Sequence, residues 1–134
     1  AALPRMRAEE GRIVLFSSVA ASHGMTNHAA IAAAKGAVEG LTRASAADYA
    51  KRGIRVNAIA PAMTDTPMSE NLLKSEASRK MSDSMHPVGR IGEAKEIADV
   101  ASWLVDGAPE WMTGQIIGVN GGLGTIKPQE SIKA

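Results

Sequence analysis

Ser18, His28 and Lys35 are the residues whose types and spacing could hold or move a proton, and a single short stretch of chain contains all three. Ser18 follows the apolar run Arg12-Ile13-Val14-Leu15-Phe16-Ser17, at the carboxyl end of a strand, where ligands bind in parallel sheets. A hydroxyl there can hydrogen-bond a carbonyl or alcohol oxygen; the structural alternative is a loop cap, as for Ser17. Lys35 closes the run His28-Ala29-Ala30-Ile31-Ala32-Ala33-Ala34-Lys35, so a long cation rises from an alanine-rich helix and needs a partner. His28 lies three residues before Ile31 and seven before Lys35, on one helical stripe, about 4.5 Å along the axis from Ile31. At a helix N-terminus, where the macrodipole disfavours positive charge, a neutral imidazole can donate or accept a proton, with capping or packing as its alternative. No phenol joins them. Tyr49, the single tyrosine, lies fourteen residues beyond Lys35, roughly 20 Å along the helix. His23, in the loop after Ser18, is a weaker candidate, and His86 before Pro87 reads as a turn residue.

Alternating strands and helices must position these residues. The continuous β-branched run from Arg12 predicts a strand buried on both faces. Residues 19–27 form a Gly- and Ser-containing loop, followed by a helix from about His28 to Arg52 that Gly53 terminates. Ile54–Ala60 is a second strand, ended by Pro61. Thr66 as N-cap and Pro67 at the first helical position predict a third helix running to about Met85. Ile97, Val100, Ala101 and Leu104 give the next helix, Glu93 to Asp106, a core-facing stripe. Gln115–Val119 is the last strand, and Asn120-Gly121-Gly122 turns it off. This order predicts βαβ units and a parallel sheet, with Ile13 to Phe16 left on an open edge. Ala1–Glu10 reads as the tail of a helix, and we expect further chain before it.

Composition narrows the classes. The 134 residues allow one domain of ordinary globular character, 45% apolar and 22% charged. Lys plus Arg exceed Asp plus Glu by one, without a basic patch, so no nucleic-acid partner is expected. Zero cysteines exclude a disulfide scaffold and a thiolate metal site, and no metal is expected. No apolar run reaches the roughly 18 residues of a membrane span, and no signal-peptide layout opens the chain, so a cytoplasmic protein is expected.

Taken together, Gly11-Arg12-Ile13-Val14, Ser18, Lys35, Ile54-Arg55-Val56-Asn57, Thr113-Gly114-Gln115 and Val119-Asn120-Gly121-Gly122 resemble the short-chain dehydrogenase/reductase family over nearly the whole chain. The resemblance implies an α/β fold: the C-terminal half of a Rossmann-type doubly wound parallel sheet, three strands plus flanking helices. Residues 1–126 would be the partial domain and residues 127–134 a polar tail. No counterpart of the family's glycine-rich first turn is expected here, and no Gly-x-x-x-Gly-x-Gly is read as following a strand. By the resemblance Ser18, thirteen residues before Ile31, matches the catalytic serine. Lys35 matches the lysine that holds the nicotinamide ribose and lowers the pKa of a catalytic tyrosine. Ile31 occupies that tyrosine's position, so His28 is the candidate replacement in a catalytic set of Ser18, Lys35 and His28.

Pro61-Ala62-Met63-Thr64-Asp65-Thr66 resembles the family loop whose backbone binds the nicotinamide carboxamide and whose threonine closes over the phosphates. Cofactor binding is therefore expected of Lys35, Pro61, Ala62, Thr64 and Thr66. Ala62 stands where glycine is usual, at a cost of about 1 kcal/mol if that backbone needs positive φ. The implied function is an oxidoreductase using NAD or NADP on a carbonyl or alcohol, present as its C-terminal half, with the cofactor bound only by a full-length form. The competing reading is a catalytically inactive relative serving binding or assembly. We expect no turnover from these 134 residues alone. The small residues of helix 28–52, which in the family packs on a neighbouring subunit, imply a homodimer or homotetramer.

Overall fold

In the computed structural model, residue 6 and residues 11–128 are described. The helix tail expected at Ala1–Glu10 lies outside them except for Met6, and so do residues 129–134 of the polar tail. The elements are β1 (Arg12–Phe16), α1 (Ala29–Tyr49), β2 (Arg55–Pro61), β3 (Thr64–Asp65), α2 (Glu76–Met85), β4 (Gly92–Glu93), α3 (Ala94–Asp106) and β5 (Ile116–Val119). The main sheet has the order β1-β2-β5 and both pairings are parallel, with Ile13 opposite Val56 and Ile59 opposite Ile117.

Two cores sandwich this sheet. Ala46 and Tyr49 of α1 pack with Ile13, Leu15, Ile54 and Val56, and Met6 closes that cluster. On the other face Ile97, Val100, Ala101 and Leu104 of α3 meet Val14, Ile59 and Ile117, as the apolar stripe predicts. Ile59 and Leu104 are essentially inaccessible, each contributing about 1.5–3 kcal/mol of apolar burial. Alternate β1 residues thus enter opposite cores, yet β1 is not buried as its composition predicted. Its residues are half-buried and Phe16 is 47% exposed. A strand paired on one side only keeps an open flank whichever helices cover its faces, whereas the central β2 is buried from Val56 to Ala60.

The long helix ends as predicted, through a 3-10 turn Ala50–Arg52 into Gly53 at φ 72°, a left-handed cap that favours glycine. The third helix does not. Thr66 is no N-cap; the chain turns at Thr66–Ser69, passes a 3-10 turn Glu70–Leu72, and begins α2 only at Glu76. Ser75 and Ser78 cap it reciprocally, each backbone N–H donating to the other's hydroxyl at 3.1 and 3.3 Å. A two-stranded parallel ladder, β3 with β4, was not foreseen either.

Candidate functional site

The end of β1 and the middle of α1 meet through polar contacts. Ser17 extends the ladder by one bond, its N–H donating to the Ile59 carbonyl at 2.7 Å. Its buried hydroxyl donates to Glu39 Oε1 at 2.9 Å. Glu39 is one turn beyond Lys35, and the Lys35 ammonium donates to the Phe16 carbonyl at 2.8 Å. That carbonyl is the partner a long cation on this face required. It leaves Lys35 two further N–H donors at the strand end.

Ser18 is extended, φ −159° and ψ 152°, and its hydroxyl oxygen accepts the Ala20 N–H at 3.2 Å. It therefore caps the 3-10 turn Val19–Ala21, while its own hydrogen has no acceptor in the described residues. Ile31 is exposed at 40% on the same helix. His28 precedes α1 without capping it, and its Nδ1 lies 2.7 Å from the Thr26 carbonyl. A carbonyl only accepts, so that geometry assigns the proton to Nδ1 and leaves the Nε2 lone pair available in the neutral ring. His28 and Ala32 line a cleft of about 720 Å³ with residues 20–25, a lining that omits Ser18, Ile31 and Lys35. Sharing a helical stripe has not joined His28 to the Ser18–Lys35 pair.

The loop after β2 is built by a residue that the sequence reading passed over. Ser69 is buried, with its hydroxyl 2.7 Å from the Thr64 carbonyl and 3.0 Å from that of Thr66, and it accepts the Thr66 N–H at 3.0 Å. Thr-Pro-x-Ser, a turn in which a hydroxyl satisfies local backbone, was the available signal. Thr64 donates to the Ala62 carbonyl at 3.1 Å, and Thr66 Oγ1 lies 3.4 Å from the Ser69 hydroxyl. Among described non-glycine residues only Asn27 has positive φ, so Ala62 carries no left-handed strain. Asn57 is buried and structural, donating to the Met112 carbonyl and accepting the Gln115 N–H, which ties β2 to the approach of β5.

A second cleft of about 650 Å³ lies between His23, the end of α2 at Met85 to Pro87, and residues 123–128. Gly124 holds its floor tightly: at φ 78° a Cβ would stand 3.1 Å from His23 and 3.2 Å from Val19. Gly118, Gly122 and Gly124 do match the spacing Gly-x-x-x-Gly-x-Gly, but Gly118 is inside β5 and no helix follows among the described residues to face its N-terminus to that turn.

Beneath the loop, Arg90 grips Glu96 through two hydrogen bonds of 2.6 and 2.9 Å. Those bonds, helped by the Glu93 N–H, lower the Glu96 carboxyl to about pKa 2, and the same pairing raises Arg90. Asp65 likewise raises Arg79, bonded at 2.6 Å. No cluster of three His, Asp or Glu residues suited to a metal occurs among the described residues.

A family model described as Enoyl-(Acyl carrier protein) reductase matches residues 1–124. The chain is 41% identical over 121 residues to a 2,5-dichloro-2,5-cyclohexadiene-1,4-diol dehydrogenase of Sphingobium indicum, covering 90% of this chain and 48% of that protein. It is 40% identical over 118 residues to a 3-oxoacyl-[acyl-carrier-protein] reductase of Thermotoga maritima, covering 88% and 47%. A gluconate 5-dehydrogenase from Burkholderia cenocepacia, solved in complex with NADP and tartrate, superposes with a TM-score of 0.82 at 32% identity, covering 89% of this chain and 47% of that one. The chain spans about half the length of the curated relatives it matches.

Proposed function

Since this chain belongs to the short-chain dehydrogenase/reductase family, with a Rossmann-type α/β fold, we propose that it supplies the C-terminal half of an NAD(P)-dependent oxidoreductase acting on a carbonyl or alcohol. One observation carries the reading: the Lys35 ammonium is anchored 2.8 Å from the Phe16 carbonyl, two residues before Ser18. A cation and a hydroxyl with an uncommitted hydrogen thus share the carboxyl end of a parallel strand, where such folds bind ligands. The donor set suits the nicotinamide-ribose end of a dinucleotide: two N–H groups remain on Lys35, Pro61 ends the neighbouring strand, and Ala62, Thr64 and Thr66 follow it.

The cofactor supplies or accepts the hydride when bound. Ser18 donates its hydroxyl hydrogen to the substrate oxygen and orients it. Lys35 holds the ribose, and its charge favours an alkoxide forming nearby. The proton step that Ile31 cannot perform falls to His28, whose Nε2 lone pair accepts the alcohol proton in oxidation and, once protonated, returns it to the alkoxide in reduction, or to water. Exposure of Ile31 and the separate cleft of His28 favour a second reading, a non-catalytic binding or assembly protein. The exposed small residues of α1, Ala29, Ala33, Ala37 and Gly40 among them, support a homodimer or homotetramer through helix 28–52. No described helix is long and apolar enough to cross a membrane, and we place the protein in the cytoplasm.

Fluorescence titration with NADH and NADPH, followed by a carbonyl screen for cofactor oxidation, tests this on a version extended by the N-terminal half of a relative and on the 134-residue chain. Binding and turnover by the extended version, with none by the chain alone, is the expected result. Absence of cofactor binding by the extended version refutes it.

A further inference from the structure

Buried beneath the loop after β2, His86 is 4% exposed and has one nitrogen without a hydrogen-bond partner among the described residues. Its Nδ1 lies 2.7 Å from the Ser82 carbonyl, which can only accept, so in the neutral ring Nδ1 carries the proton and Nε2 is a lone-pair acceptor without a donor among the described residues. Buried acceptors in native structures are nearly always satisfied. The ring's Cδ2, bonded to Nε2, faces Gly121, where a Cβ would stand 3.4 Å away. Both Gly121 and His86 line a cavity of about 140 Å³. That volume is several times the roughly 30 Å³ share of one water, enough for a molecule of four or five heavy atoms.

The remaining walls decide what kind of molecule fits. Val88, Ile91, Ile97 and Val119 make them largely apolar, and Asn120 adds an amide whose Oδ1 already accepts the Gly122 N–H. Arg90 and Glu96 also line the cavity but are committed to each other, so neither sign of charge is offered to an occupant. An anion would meet the Nε2 lone pair, and a cation would find no free carboxylate. We propose that this cavity binds a small neutral alcohol of three or four carbons, its hydroxyl donating to His86 Nε2 and its alkyl groups packing on Ile97 and Val119. It is independent of the Ser18–Lys35 pair, although Ala62 of the loop after β2 also lines the cavity.

The test is titration of the whole chain with 2-propanol and with acetone, a match in size that cannot donate a hydrogen bond, read by long-range ¹H–¹⁵N NMR of the histidine rings. A saturable shift of His86 Nε2, with 2-propanol bound at least tenfold more tightly than acetone, is expected. His86→Phe should abolish the preference, and Ile97→Phe, which fills the cavity, should abolish binding. If Ile97→Phe melts without cooperativity, Val119→Leu serves the same purpose. Equal affinities, non-saturating shifts, persistence of binding in the filled variant, or a cavity holding only water would overturn the proposal.

Discussion

Replacing Glu39 by alanine tests whether the Ser17–Glu39 hydrogen bond joins the end of β1 to α1. The Glu39 side chain is 13% exposed, with Arg43 3.8 Å away, and Ser17 is 4% exposed. Without the carboxylate, the only other acceptor for the Ser17 hydroxyl among the described residues is the Lys35 carbonyl, at 3.5 Å. Hydrogen bonds to charged groups contribute about 1.5–3 kcal/mol, and a buried donor left unsatisfied costs a similar amount, so about 2 kcal/mol is expected. Unfolding entropy of about 2.1 cal/mol/K per residue over 134 residues amounts to ~0.28 kcal/mol/K, which converts 2 kcal/mol into a fall in Tm of about 7 °C. Circular-dichroism melting of Glu39→Ala, Ser17→Ala and the double variant measures it. The double variant should melt close to the worse single variant, because the two residues act through one bond. Additivity within about 0.5 kcal/mol would refute the link.

Ile31→Tyr in the extended enzyme places a phenol one turn before Lys35 at a position exposed enough to accept it; kcat should rise by about 10²- to 10⁴-fold in a steady-state assay. Leu104→Ala, in the α3 core, should lower the urea-unfolding free energy by about 2–5 kcal/mol. Glu96→Gln probes acid stability. The folded carboxyl, near 2, lies below its ordinary 4.5, so its contribution is fully present above about pH 4.5 and disappears as pH falls toward 2. Urea midpoints across that window should converge for wild type and variant, the difference staying small because the pair is solvent-exposed. Gly124→Ala should lower Tm by several degrees, since φ 78° and the His23 and Val19 contacts oppose a Cβ together.

Periodicity carried most of the fold. The stripe of α3, the stop of β2 near Pro61 and the stop at Gly53 were readable because each is a local signal with one physical meaning. Failures came where neighbours decide. β1 packs both faces as its composition indicates, and its half-burial comes from the open edge that the order of elements already implied rather than from its own residues. Thr66-Pro67 has the form of a helix start, yet the Ser69 hydroxyl captures the Thr66 N–H and diverts the chain into a turn. The true start used serine rather than glutamate at the third position of the capping box, a weaker signal. The alanine setting of Lys35 indicated that the cation needs a partner, though not that the partner is the Phe16 carbonyl. The placement of His28 was not, because a shared helical stripe says nothing about which cleft a ring turns toward.

The parallel sheet has a kinetic consequence. Arg12 pairs with Arg55 and Ala58 with Ile116, so the strand pairings close across 43 and 58 residues, and no hairpin is available to nucleate the main sheet. Chain closure over such separations must precede the contacts that reward it, which makes folding slow relative to a helical bundle of this length. The Lys35–Phe16 contact spans only 19 residues and lies wholly within the connection from β1 into α1. The two halves of the candidate site therefore depend on different closures. The lysine and serine can be set by a single strand–helix docking, whereas the loop bearing Thr64 and Thr66 acquires its position only after β2 has found β1.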